Sequence, residues 1–358
     1  MVTTEPGQAA VAPRAVSYGW LRGAPFDLTF VAGVACFAIA VSLLVVHEPR
    51  LFPLVLVVDM WLLGFHHVVS TFTRLAFDSE SFRAHRFLVL GLPPLVLAGV
   101  VGLVFAFGTW ILPTIYLYWQ WFHYTRQSYG IAQIYRRKSG GVADEPRWLG
   151  KAMIYLLPLW GILHRSQQHP ATFLRQPIKV LPVPLALVQA AALATMVTIA
   201  WWLVRQVRAA GEGRLPVAYS LYMVSHVVIF TVGYLSIADI SYGWLTINVW
   251  HNAQYILLVW MYNNNRFRGG VDPEHRFLST LSQRNRVALY FLVCLAISTA
   301  FYLALDGAFG AVGLGGRFSI LTLTLAAYQA INFHHYIVDG VIWKVRKQRL
   351  QANLGLAS

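Results

Sequence analysis

Residues 51–75 read LFPLVLVVDMWLLGFHHVVSTFTRL, a run long and apolar enough to cross a bilayer that nonetheless carries Asp59, His66 and His67. Ionisable side chains are costly in hydrocarbon, so a carboxylate and two imidazoles inside such a run point to a function. The local pattern, an aromatic residue followed by histidine, returns three more times: Phe122-His123, Trp250-His251 and Phe333-His334-His335. Each copy again lies in an apolar stretch.

The rest of the chain has the same character. It is 57% hydrophobic and only 12% charged, with a mean hydropathy of +0.55, whereas soluble domains carry about a quarter charged residues. The expected fold is all-α, a polytopic transmembrane helix bundle of about ten spans. The spans fall at roughly 28–46, 51–75, 87–107, 109–135, 149–163, 181–204, 216–238, 243–262, 287–305 and 318–343. The fifth is short and is expected to be tilted, re-entrant or shifted. Residues 1–27 read as a cytoplasmic N-terminal segment, 28–343 as a single transmembrane helical domain, and 344–358 as a basic cytoplasmic tail. The first 25 residues hold no apolar core, so they are not a cleavable signal peptide. The two cysteines, Cys36 and Cys294, both sit in apolar spans. They exclude a cysteine cage, and any metal must take nitrogen and oxygen ligands.

The net charge is +14, but the basic residues occupy short connections between spans. With a cytoplasmic N-terminus, 22 Lys and Arg fall on inside segments and 5 outside, with Arg126 alone within a span. That asymmetry places both termini in the cytoplasm and assigns the charge to topology rather than to nucleic acid. The expected location is a bacterial inner membrane.

The four histidine-bearing spans are the second, fourth, eighth and tenth, all running from outside to inside. His66 and His67 precede Arg74 by eight and seven residues, His123 precedes Arg136 by thirteen, His251 precedes Asn263 by twelve, and His334 and His335 precede Lys344 by ten and nine. At about 1.5 Å per residue, all lie roughly 10–20 Å below the cytoplasmic surface. His226 in the seventh span reaches a similar depth. A single intramembrane His often serves only as an interhelical hydrogen-bonding residue. A common depth on separate helices is what a shared site requires. His66, His67, His123, His226, His251, His334 and His335 are therefore the candidate metal ligands. Adjacent residues on a helix diverge by about 100°, so one His of each pair can face the site while the other reaches sideways. His47, His85, His164, His169 and His275 lie at span ends or in loops.

Polar neighbours complete the pattern. Asp59 lies seven residues before His66, on nearly the same face but too far for contact, so it needs a partner on another helix, for which Arg126 is a candidate. Arg126 could equally bind an acidic group such as a carboxylate, phosphate or haem propionate. Asp339, four residues after His335, suits a ligand or a carboxylate orienting an imidazole, or a helix-end partner for Lys or Arg. Gln127 shares a stripe with Gln120 and His123, and Asn248, His251 and Tyr255 share a face, with Asn252 and Gln254 beside them. Tyr255 could donate to a metal-bound oxygen species. Asp59, Arg126 and Tyr255 are thus candidate catalytic residues, and Gln127, Asn248, Asn252 and Asp339 candidate cofactor-binding residues.

The organisation resembles the histidine-rich integral-membrane di-iron class, the fatty acid desaturases and hydroxylases, in which His clusters from several helices bind iron near the cytoplasmic surface. The likeness covers a pattern of four spans; the HxxxH and HxxHH boxes of that class do not occur here. It implies two iron ions, a separate electron donor and a lipid or other apolar small-molecule substrate. The adjacent His pair also looks like the copper-ligand pair of haem–copper oxidases. Membrane carotene dioxygenases are similar in being polytopic and His-ligated, but their Pro-His-Gly segment is missing. Imidazole suits iron and copper alike. The expectation is a membrane metalloenzyme carrying out oxygen-dependent hydroxylation, desaturation or cleavage of a lipid or isoprenoid, with iron, or alternatively copper or haem. The alternatives in function are a His-lined transporter or channel for protons or metal ions, and a haem-binding electron carrier. No phosphate loop, dinucleotide fingerprint, nucleophile elbow or HExxH motif occurs.

Overall fold

The computed structural model describes residues 18–142, 145–312, 320–344 and 348–356. Among them run ten long helices: Ala24–His47, Pro49–Leu75, Phe87–Phe107, Ile111–Lys138, Arg147–Gln167, Leu185–Gly211, Val217–Ser236, Ile240–Arg266, Val287–Val312 and Ile320–Ile342, here numbered first to tenth. The protein is all-helical. The first, second, third, sixth, seventh and ninth helices are long and apolar enough to cross a membrane. The other four carry more polar side chains, and three of them, the fourth, eighth and tenth, bear His123, His251 and His335. Their polarity is directed inward. Among the described residues the only strands are the two-residue hairpin Thr172–Phe173 and Gln176–Pro177, whose turn residues Leu174 and Arg175 both take positive φ.

The eighth helix is the axis of the bundle. It packs against the first, second, fourth and seventh helices. Twenty-two of its 27 residues are buried, so it is enclosed on every side rather than on one stripe. A Cβ at Gly243 would collide with the carbonyl of Gly233, so the seventh and eighth helices meet backbone to backbone.

The fifth helix is not short: it runs 21 residues, through Pro158, from Arg147 to Gln167. Arg165 near its end is 1% exposed, and its guanidinium donates to the carbonyls of Gly233, Ile237 and Ala238. These acceptors lie where the seventh helix ends and its carbonyls lack intrahelical partners, which explains a charge at this apolar position. Asp27 lies in the first turn of the first helix. It is fully buried and accepts hydrogen bonds from the backbone N–H groups of Leu21, Arg22 and Gly23 and from the Tyr135 hydroxyl. Near the C-terminus, a short helix at Gln348–Asn353 returns to the bundle. It buries Leu350, and Lys138 Nζ donates to the Gly355 carbonyl.

Four of the long helices contain a π-helical segment, at Thr29–Gly33, Met60–Phe65, Phe87–Gly91 and Val232–Ser236. A π segment accommodates one residue more than the α-helix it interrupts. In an unbroken α-helix, residues seven apart share a face to within about 20°. With Met60–Phe65 in between, the residue that shares the face of Asp59 is His67, eight positions on, rather than His66. Both Asp59 and His67 accordingly face the eighth helix: Asp59 accepts from Asn248 Nδ2 at 2.6 Å, and the His67 ring lies 4.9 Å from that of His251.

Candidate metal centre

Four helices converge on one small space. The second brings His67, the fourth His123, and the tenth His335 and Asp339, while the eighth closes the space with His251 and Tyr255. One ligand atom from each of His67, His123, His335 and Asp339 lies within 4.8 Å of all the others, and all four residues are buried. His67 Nε2 and His335 Nε2 are 2.6 Å apart. Asp339 Oδ2 is 3.4 Å from His335 Nε2 and 4.0 Å from His123 Nε2. The His251 ring is 4.9 Å from that of His67 and 5.0 Å from that of His123, at its edge. A cavity of about 20 Å³, room for one water-sized molecule, is lined by His67, His251, His335, Asn248, Asn252 and Asn332, among others.

Behind the ligand atoms, hydrogen bonds set orientation. Trp343 Nε1 donates to the Tyr255 hydroxyl at 2.9 Å, and Tyr255 donates to Asp339 Oδ1 at 2.8 Å. The Tyr255 oxygen is left to accept from Thr71 Oγ1 at 2.8 Å, and Thr71 in turn accepts from His335 Nδ1 at 3.0 Å. With Asp339 ionised, the chain runs from His335 Nδ1–H through Thr71 and Tyr255 to Asp339. In that direction the His335 Nε2 lone pair is aimed at the cluster, and Asp339 Oδ2 is turned the same way. Tyr336 stacks on the His123 ring at 4.2 Å, and Tyr124 lies 4.1 Å from that of His251.

Many polar atoms here find no partner among the described residues: His123 Nε2, His67 Nδ1, both nitrogens of His251, Asp59 Oδ1, Gln120 Nε2 and Asn332 Nδ2. Each unmade bond on a buried polar group costs about 1–3 kcal/mol. His67 and His123 each keep a nitrogen without a partner, and with His335 and Asp339 they form a group that could hold a metal ion.

The remaining sequence candidates lie elsewhere or play other parts. His66 points to the ninth helix, edge-on to Phe291 at 5.7 Å. His334 points to the third helix, where Nε2 meets the Leu88 carbonyl at 2.7 Å and the ring stacks on Phe72. His226 is held apart by Ser128, 2.8 Å from Nδ1. Arg126 does not pair with Asp59. It donates to the Gly340 carbonyl at 2.9 Å, where a Cβ would sit 2.8 Å from Nη1, so glycine makes the room. Asp59 is instead bridged by Asn248 to Tyr124, whose hydroxyl donates to Asn248 Oδ1 at 2.5 Å. Gln127 donates to the His251 backbone carbonyl at 3.2 Å rather than to a ligand atom. Asn252 lines the small cavity. Thr71, Tyr124, Tyr336 and Trp343 escape a search for intramembrane His, Asp and Arg. Thr71 carried a signal: four residues beyond His67, it shares that face of the helix. No protein-family model, no curated protein and no solved structure matches this chain.

Proposed function

We propose that this is an iron-dependent membrane oxidoreductase that uses molecular oxygen to hydroxylate, desaturate or cleave a lipid or isoprenoid. The observation that carries the reading is the convergence of His67, His123, His335 and Asp339 within 4.8 Å in a buried setting. A mixed nitrogen and oxygen set of this kind suits non-haem iron. Bound there, iron would supply the one-electron and oxygen chemistry that protein side chains lack.

The chain's own groups have definite tasks in this reading. His67, His123, His335 and Asp339 hold the ion. Tyr255 and Thr71 keep Asp339 and His335 in register. With His67 Nε2 sharing a proton with His335 Nε2, the neutral His67 ring would carry that proton on Nδ1 instead when Nε2 holds an ion. The surrounding aromatic rings exclude water. The four-residue group supplies one ion, and His251 is the imidazole beside it for a second. The narrow cavity favours an ion over a haem macrocycle. We further read the ten helices as ten spans with both termini cytoplasmic, in a bacterial inner membrane. Reducing equivalents then come from a separate donor on the basic cytoplasmic face.

Elemental analysis and an optical spectrum of the purified protein test this directly. One or two irons per chain without a Soret band are expected. A folded protein that neither carries nor takes up iron would sink the reading, copper in its place would change the metal, and a Soret band would favour haem.

A further inference from the structure

We propose that an apolar chamber between the second, ninth and tenth helices binds a single hydrocarbon chain and leads it to the metal centre. The chamber has a volume of about 320 Å³ and is walled by Trp61, Phe65, Tyr302, Leu325 and Ile331. Two further residues of its wall, Met60 and Tyr328, also line the small cavity that His67, His251 and His335 share. The two spaces are therefore neighbours with one partition. A second apolar groove of about 290 Å³, beside His66, has no lining residue in common with the cavity at the cluster. Only the first gives an apolar molecule a short way to the ligand atoms.

Its chemistry narrows the occupant. Small-molecule sites span about 300–1,000 Å³, so this chamber takes one chain and not a whole two-chain lipid. Phe65 stacks on Tyr302 at 3.7 Å and meets Tyr328 edge-on at 5.8 Å, which forms an aromatic wall for a flexible chain to lie along. Among the wall's polar residues, which also include Gln176 and Thr324, Trp61 Nε1 donates to Thr299 Oγ1 at 2.8 Å. The Tyr302 hydroxyl is buried and has no partner among the described residues. An idle hydroxyl donor in an apolar chamber matches a chain bearing an oxygen acceptor, such as a fatty acid, a fatty alcohol or an isoprenoid alcohol. This assignment rests on the metal reading for what happens to the chain, but not for its binding.

The test uses the full-length protein in nanodiscs and palmitic acid carrying a mid-chain diazirine. Photolabelling is followed by peptide mapping, on iron-loaded and on chelator-treated protein. Saturable labelling of residues 60–65, 299–305 and 325–331 is expected in both, displaced by unlabelled palmitic acid. Ala327→Phe, which fills the chamber from the tenth helix, should abolish it. The conservative Tyr302→Phe, which removes only the hydroxyl, should weaken it about fivefold. Unsaturable labelling spread over exposed apolar residues such as Leu90 and Leu95, or labelling unchanged by both substitutions, would overturn the proposal. Because the chelated protein is read separately, loss of the metal reading and loss of the chamber are distinguishable.

Discussion

Around Glu145 a buried charge is fully answered, whereas around His335 buried polar groups are left waiting. Glu145 accepts from Arg136 Nη1 at 3.0 Å, from the Tyr219 hydroxyl at 2.7 Å and from Gln206 Nε2 at 3.2 Å, and Ser220 in turn donates to Gln206 at 2.8 Å. None of these side chains has an orphaned buried atom. The candidate metal cluster is equally buried, yet His67 and His123 within it and His251 beside it hold nitrogens without partners. Buried polar groups are ordinarily satisfied, and a closed network contributes to stability. The open network costs stability, so it is expected where a bound species completes it. On the proposed reading, the contrast separates a structural polar core from a candidate binding one.

The sharpest way to break this contrast is His123→Ala, which removes a ligand candidate whose Nε2 has no partner. The variant should lose more than 100-fold in iron affinity, beyond the roughly 10–100-fold typical of residues behind the ligands. Its metal-free form should melt no lower than the metal-free wild type, and a large drop there would make the cluster structural after all. Glu145→Ala should do the reverse. It leaves Arg136, only 12% exposed, without its carboxylate. It should therefore destabilise by about 3 kcal/mol in thermal unfolding while iron per folded chain stays at the wild-type level. Tyr255→Phe acts on both counts: it removes the donor that orients Asp339, so isothermal titration with ferrous iron should show affinity falling about tenfold, and it strips Trp343 Nε1 and Thr71 of a partner at a cost of about 1–3 kcal/mol. The smallest effect is expected from His226→Ala, which loses the Ser128 hydrogen bond and about 1 kcal/mol of stability but no iron. Iron loss in that variant would mean that the boundary of the site is drawn in the wrong place.

Much of the helical layout was legible in the chain. Hydropathy marks the apolar helices, and the count of residues back from the basic helix ends brings His67, His123, His251 and His335 to one level. That level is where the structure gathers them. What the sequence could not show was phase and partner. The α-helical spacing pairs Asp59 with His66, but the π segment shifts that pairing by one residue, and no residue pattern in Met60–Phe65 announces it. Arg126 looks like a cation in search of a carboxylate, yet it binds a backbone carbonyl exposed by a glycine on another helix. Any carbonyl can serve in this way, so sequence carries no mark of it. The fifth helix appeared short because Arg165 interrupts its apolar run, and only the carbonyls it caps explain the charge.

The π segment at Met60–Phe65 also determines where this helix can change length. Read as an old insertion, it is a residue that the helix absorbed while both flanks kept their partners. Removing one residue from 60–65 would restore a plain α-helix and leave Asp59 and His67 facing as they do now. Removing one between His67 and Arg74 would instead swing Thr71 or Arg74 by about 100° away from its contacts. Deletion of Leu62 is thus expected to keep iron bound, and deletion of Val69 to lose it, as elemental analysis of the two would show. Since Met60 borders both the chamber and the metal cavity, related chains that gain or lose a residue here could alter the passage between them without turning a single ligand.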